Sequence, residues 1–144
     1  MITYPMIFSV SSKSNSGIQT QWQSKAASNS IDLPMCIPPE FEGPGHGFSP
    51  EDLYAMALQN CFIATFKVFA EKSKLTFTEL EVNTTLTVDR DDKGRPWMSK
   101  VHLDIHLTGS TNKESIQRVL EKTSQSCMIL NSVKTEKTFN FKIE

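Results

Sequence analysis

The segment that most constrains this chain runs from Ser49 to about Ser73. It opens Ser49-Pro50-Glu51-Asp52 and continues from Leu53 to Phe66 without a charged side chain. Serine caps helices well, proline suits the first helical position, and two acids complement the positive end of the helix dipole. The middle, Cys61-Phe62-Ile63-Ala64-Thr65-Phe66, offers no polar stripe. A helix apolar most of the way round has to be buried, so this one is expected to form the spine of the fold. Its uncharged stretch is too short to cross a hydrocarbon core of about 30 Å.

The rest of the chain supplies what such a helix packs against. The first third is strand-like and turn-rich, with short strands expected at Ile7 to Val10, Gly17 to Gln23 and Ile31 to Met35. Clusters of Ser, Asn and Lys separate them. Residues 38–48 form a Pro/Gly-dense loop, and Gly43, Gly45 and Gly47 imply unusual backbone angles or the close approach of another group. After the helix, Leu80, Val82, Leu86 and Val88 alternate with polar residues as in a half-buried strand. Asp91-Asp92-Lys93-Gly94 is a turn, and Met98 to Thr108 returns as the second arm of a hairpin. Thr111 and Glu114 have the spacing of a capping box. The helix they open places Ile116, Val119, Leu120, Thr123, Cys127 and Leu130 on one face, so Cys127 faces the core. Phe139, Phe141 and Ile143 alternate in a last strand. This order of elements is α+β, and 144 residues bound the chain to a single domain, 1–144.

Charge excludes several function classes. A net charge of -1, with neither sign dominating either half, leaves no electrostatic footprint for nucleic acid or an anionic membrane. Met1 to Phe8 is apolar but lacks a basic start and is interrupted by Pro5, which does not fit a secretory signal. The expected location is the cytoplasm. Cys36, Cys61 and Cys127 are odd in number and widely spaced, unlike a disulfide framework. In a reducing compartment such thiols are buried fillers or chemistry.

Cys61 and Cys127 each fall roughly 18–24 Å along a helix at about 1.5 Å per residue. Two such helices packed side by side would bring the sulfurs to similar depth, and a disulfide would need Cα atoms within about 7 Å. The chemistry open to such a pair is specific. A thiolate attacks the O–O bond of a peroxide and becomes a sulfenic acid, a second thiol condenses with it, and an external dithiol reduces the disulfide. Free cysteine is equally at home as a small apolar filler, and periodicity alone leaves both readings open. Cys36, between Met35 and Ile37, has no acid, base or helix terminus near it in sequence and reads as filler.

The run Pro39-Glu40-Phe41-Glu42-Gly43-Pro44-Gly45-His46-Gly47-Phe48-Ser49-Pro50-Glu51-Asp52-Leu53, followed by Cys61-Phe62, is similar to the signature of the OsmC/Ohr family. There a Gly-rich loop leads into a [S/N]-P-E-[D/Q]-L helix start, with the reactive cysteine further along that helix. Ser126-Cys127-Met128-Ile129 falls where the family has its second cysteine, and the order of elements agrees along nearly the whole chain. The resemblance implies an OsmC-like fold of antiparallel sheets and two long central helices in an intertwined homodimer, with the thiols at the subunit interface. It implies reduction of organic hydroperoxides or hydrogen peroxide, with Cys61 as peroxidatic nucleophile and Cys127 as resolver. No metal or organic prosthetic group is implied, and in some members the reductant is a dihydrolipoyl group.

In peroxidatic members an arginine from an N-terminal strand contacts the reactive sulfur and pairs with the glutamate at the helix start. Glu51 matches that glutamate, as orienter of an activating cation, but no arginine precedes Arg90. A cysteine nucleophile needs a lowered pKa, which a nearby cation supplies. Lys25, His46 or a hairpin arginine, Arg90 or Arg95, from the partner chain are the candidates to replace it, although a lysine lacks the planar fork of arginine. The departure keeps a second reading in play, a ligand-binding or redox-sensing protein with little peroxidase turnover.

Other constellations carry less. His46, in the loop leading to the Cys61 helix, is a candidate substrate contact with Phe48, Phe62 and Lys25. Phe41, Phe48, Phe62 and Phe66 fit an apolar approach for organic peroxides and equally an ordinary core. His102, Asp104 and His106 share one strand face, but neighbours on that face are about 6.5–7 Å apart, which suits a solvated surface better than a metal site. The run Gly43 to Gly47 lacks the lysine and spacing of a phosphate-binding loop.

Overall fold

A computed structural model describes residues Met1–Glu144. The chain forms two compact units, Met1–Leu53 and Tyr54–Glu144.

The first unit is a three-stranded antiparallel sheet in the order β1 (Val10–Lys13), β2 (Trp22–Ala26), β3 (Leu33–Met35). The first two strands start later than the sequence predicts. Gly17, at φ 112°, opens a turn closed by the Thr20 N–H on the Gly17 carbonyl, so the hairpin turns where the second strand was expected to begin. Ile7 and Phe8 stay outside the ladder and are exposed. Both expectations for the Gly-rich loop are realised. Gly43 lies so close to the Ile37 carbonyl that a Cβ would overlap it, and Gly45 and His46 take left-handed angles of 71° and 65°. The Phe48 N–H bonds the Pro34 carbonyl, which ties the loop end to β3. Ser49 then caps as expected. Its Oγ accepts the Asp52 N–H while the Asp52 carboxylate accepts the Ser49 N–H, a reciprocal box that satisfies one of the helix's free donors.

Helix α1 (Pro50–Lys72) begins there, and from Tyr54 onward it belongs to the second unit. That unit also holds β4 (Glu79–Arg90), β5 (Pro96–Thr108), α2 (Lys113–Ser126), α3 (Met128–Asn131) and β6 (Glu136–Ile143). The sheet order is β4-β5-β6. β4 and β5 form the predicted antiparallel hairpin, with a register shift between Thr87 and Val88. That shift ends the alternation early and leaves Val88 exposed, contrary to expectation. β6 runs parallel to β5, whereas an all-antiparallel sheet was expected. The reason is the connection: β5 leads through α2 and α3 back to β6, and a helical crossover returns the chain in the same direction.

The inner sheet face presents Val101, Leu103, Ile105 and Leu107, all buried, with Phe139, Phe141 and Ile143 of β6 beside them. Onto it pack Leu58, Phe62, Phe66 and Ala70 of α1 and Ile116 and Leu120 of α2. By length and composition alone α1 could cross a membrane, but this stripe is packed as in a core helix. The expectation that α1 is buried all round needs correction within one chain. Its buried residues recur every four positions on a single face, while Ala64 is exposed and Val68 is 49% exposed. One sheet covers only one side of a helix.

Helix α2 starts at an Asn112 cap, whose Oδ1 accepts the Ser115 N–H, and not at the Thr111–Glu114 box. On the outer sheet face His102 pairs with Thr138 and Asp104, and His106 pairs with Glu144. The two histidines have separate partners and share no centre.

Candidate active site

Cys61 lies mid-way along α1, half-buried at the margin of the core, and Cys127 is fully buried. What brings them together is a break in the second helical segment. The sequence pattern runs through Cys127 without interruption, yet α2 ends at Ser126 and Cys127 adopts an extended conformation, φ -68° and ψ 116°, before α3 begins. Side chains around the break explain it. The Thr123 and Ser124 hydroxyls bond back to the Val119 and Glu121 carbonyls, a competition that weakens a helix end. The Asn131 amide then donates to the Gln125 carbonyl, satisfying an acceptor left open where α2 stops. Cys127 is thereby held from both sides, its N–H on the Thr123 carbonyl and its carbonyl accepting the Asn131 N–H.

The break re-aims backbone donors. The Ile129 N–H points at the Cys61 sulfur at 3.5 Å. The neighbouring Leu130 backbone draws the Cys127 pKa down. Thr65, one turn beyond Cys61 on α1, places its Oγ1 4.0 Å from the Cys61 sulfur. These contacts of the thiol pair are uncharged groups, namely a hydroxyl, backbone amides and the two thiols themselves.

Burial pushes the Cys127 thiol up from an ordinary 9.0 to about 11, and the neighbouring Cys61 thiol raises it further than the Leu130 backbone and the Thr65 hydroxyl lower it. A group whose pKa is raised by folding holds its proton more tightly in the native state than in the unfolded chain. Its contribution to stability is therefore fully present below pH 9.0 and is lost as pH rises to about 11. The loss is on the order of 2 kcal/mol. Urea unfolding at pH 8 and pH 10.5 is expected to show a smaller alkaline drop in Cys127→Ala than in the parent.

The remaining sequence candidates divide between the two units. Glu51, His46, Phe48 and Lys25 belong to the first unit. His46 and Lys25 are exposed and Phe48 is half-buried. Glu51 is half-buried, with an Oε1 that is shielded from solvent and lacks a hydrogen-bond partner. Phe62 sits in the core of the second unit, fully buried, with ring centroids 6.0 and 6.4 Å from those of Phe139 and Phe141. That is a packing position, so Phe62 lines no open approach in this chain. Phe66 is likewise core, against Phe77. Sequence reasoning missed Thr65 and the Ile129 amide. The i, i+4 spacing of Thr65 from Cys61 was the available signal for the first, and nothing local announced the second.

Comparison with known proteins gives a consistent answer. The family model for OsmC-like protein matches residues 43–142. A YmaD protein of Bacillus subtilis is 23% identical over 110 residues, covering 74% of this chain and 73% of its own length. Among solved structures, an OsmC-like protein of Vibrio cholerae superposes with a TM-score of 0.82 at 17% identity, covering 95% of this chain and 99% of its own. An organic hydroperoxide resistance protein OsmC of Legionella pneumophila gives 0.76 at 16% identity, covering 99% of each chain. The organic hydroperoxide resistance protein OhrB of Bacillus subtilis gives 0.70 at 14%, covering 96% and 98%. At these identities the structural likeness is one of fold, while the family model spans the loop from Gly43 onward, α1 and both site cysteines. The chain belongs to the OsmC-like protein family.

Proposed function

We propose that this protein is a two-cysteine hydroperoxide reductase acting on organic hydroperoxides and hydrogen peroxide. The observation that carries the reading is the thiol pair itself: a half-buried Cys61, its sulfur 3.5 Å from the Ile129 N–H, neighbouring a fully buried Cys127. Exposure suits a nucleophile that must meet substrate, and burial suits a resolver that must meet only its partner. In the first step the Cys61 thiolate attacks the outer peroxide oxygen. The S–O bond forms as the O–O bond breaks, and the alkoxide leaves and takes a proton to become an alcohol. In the second step Cys127, losing its proton, attacks the sulfenic sulfur. The S–S bond forms, the S–O bond breaks, and hydroxide leaves with that proton as water. An external dithiol, of which a dihydrolipoyl group is one, returns both thiols by two exchanges. The hydroperoxide resistance function ascribed to the Legionella and Bacillus relatives agrees with this chemistry.

The working state in this reading is a homodimer in the cytoplasm. Support for the dimer is the apolar surface that one chain leaves open, including Val68 on α1 and Ile7, Phe8 and Val10 in the first unit. Free thiols suit a reducing compartment. Glu51 orients the activating cation, and its shielded, unpartnered oxygen is an acceptor that such a cation would satisfy. With no arginine before Arg90, that cation comes from Lys25, His46, Arg90 or Arg95.

The uncharged surroundings of the sulfurs favour one rival, a binding or redox-sensing protein of low turnover. The test is consumption of cumene hydroperoxide and of hydrogen peroxide by the reduced protein, with dihydrolipoamide or dithiothreitol in excess. Many turnovers per protein are expected. A single stoichiometric oxidation followed by arrest, or no reaction in folded reduced protein, would replace the enzyme with the sensor or binder.

A further inference from the structure

We infer that Asn131 is a positioning residue for the peroxidatic step: its side chain takes the Gln125 carbonyl and so frees the Ile129 N–H for the Cys61 sulfur. The inference rests on the proposed peroxidase reading and concerns how the first thiol of the pair is made reactive. The apolar spacing from Ile116 to Leu130 would let one helix run through Cys127. In that helix the Ile129 N–H would bond the carbonyl four residues earlier, which is that of Gln125. Here the helix stops at Ser126, and the Asn131 Nδ2 donates to the Gln125 carbonyl at 2.9 Å. The displaced Ile129 N–H points at Cys61 Sγ, 3.5 Å away. One side-chain amide has replaced one backbone amide at the same acceptor.

Two further bonds hold the exchange in place. The Asn131 backbone N–H donates to the Cys127 carbonyl at 2.9 Å, so the same residue grips the chain on both sides of the break. The Ser132 Oγ donates to the Met128 carbonyl at 2.8 Å. That carbonyl and the Ile129 N–H belong to one peptide plane, which is thereby fixed at its oxygen edge while its N–H edge faces the sulfur. A donor aimed at a sulfur bonds the thiolate more strongly than the thiol and so favours the nucleophilic form. The hydrogen bonds of Asn131 itself go to the Gln125 and Cys127 carbonyls. It acts on Cys61 only through Ile129 and exchanges no atom, proton or electron with peroxide.

Asn131 is exposed, so its side chain can be changed without opening a cavity. The parent is compared with Asn131→Leu, Asn131→Ala and Asn131→Gln, all full length and reduced. Alkylation of Cys61 by iodoacetamide is followed across pH by peptide mass spectrometry, which reads it apart from the buried Cys36 and Cys127. Leu and Ala both vacate the Gln125 carbonyl, and the Ile129 N–H is expected to return to it. Their profiles should lie at higher pH than the parent's and meet it at the alkaline plateau. At pH 7 the reaction should slow by about threefold to tenfold, the worth of one hydrogen bond. Oxidation of Cys61 by one equivalent of cumene hydroperoxide should slow by the same factor. Asn131→Gln keeps the carboxamide donor and should stay within about twofold of the parent. Leu and Ala profiles that overlay the parent's would overturn the assignment. A loss equal at every pH would overturn it too, since that marks altered access to the sulfur, as would a loss shared by Gln. Should Asn131→Leu fail to fold, Asn131→Ala decides between the same outcomes. A parent that alkylates at Cys61 but is not oxidised there by peroxide would overturn the peroxidase reading and this inference with it, and that outcome shows in the parent alone.

Discussion

Cys61→Ser is expected to lose peroxide consumption by at least about 10³-fold, to the level of the dithiol reacting alone. The reason is chemical: a serine hydroxyl ionises too weakly and is too poor a nucleophile toward O–O bonds to replace a thiolate, and Cys127 is fully buried and cannot stand in. Cys127→Ser should behave quite differently. The half-buried Cys61 keeps its approach to peroxide and its Ile129 amide contact, so the first oxidation proceeds. The sulfenic acid then has no internal thiol to condense with. It should give a dimedone adduct in high yield, and at excess peroxide it should pass to the sulfinic acid and stop. Steady-state rates with dihydrolipoamide, together with masses of the intact protein, read both effects. A Cys61→Ser protein that still turns over would move the chemistry to Cys127 or Cys36. A Cys127→Ser protein that cycles undiminished would mean that the external dithiol attacks the sulfenic acid directly, leaving Cys127 as packing.

These contrasting roles were only partly legible in the sequence. The capped, uncharged helix and the hairpin of β4 and β5 follow from periods of 3.6 and 2 in the apolar residues, and both stand where those periods place them. The pairing of Cys61 with Cys127 was open to the same reasoning, since each lies on the core side of its segment. The break at Cys127 was not, because the apolar spacing from Ile116 to Leu130 continues through it. It is made by bonds of unequal range: Thr123 and Ser124 loosen the helix end locally, while Asn131 and the Ile129 contact to Cys61 are features of the folded chain. β1 was misplaced for another reason. All four of its residues are exposed, so no alternation marks the strand, and the turn at Gly17 decides the register. The direction of β6 lies outside any local pattern, because a strand reads alike in both directions and the crossover through α2 and α3 fixes it.

Phe62→Ala is expected to destabilise the protein by about 3–5 kcal/mol, the usual range for truncating a buried phenylalanine. Phe62 is fully buried, in contact range of the Phe139 and Phe141 rings, with nothing on hand to refill the space. Against a typical stability of about 5–15 kcal/mol the loss is a large fraction, and the melting temperature should fall by about 10 °C or more. Phe62→Leu, nearer in volume, should cost less, about 1–2 kcal/mol. The same pair of variants separates packing from substrate contact. Phe62 adjoins Cys61 in sequence, but successive helical positions point about 100° apart, so the ring faces β6 while the sulfur faces the α2–α3 break. At a temperature where Phe62→Leu is fully folded, its kcat/KM for cumene hydroperoxide relative to hydrogen peroxide should match that of the parent. A preserved melting temperature with a selective loss toward the organic peroxide would return Phe62 to the substrate path. The expected outcome, lost stability with unchanged preference, leaves the recognition of organic peroxides to residues outside this aromatic cluster.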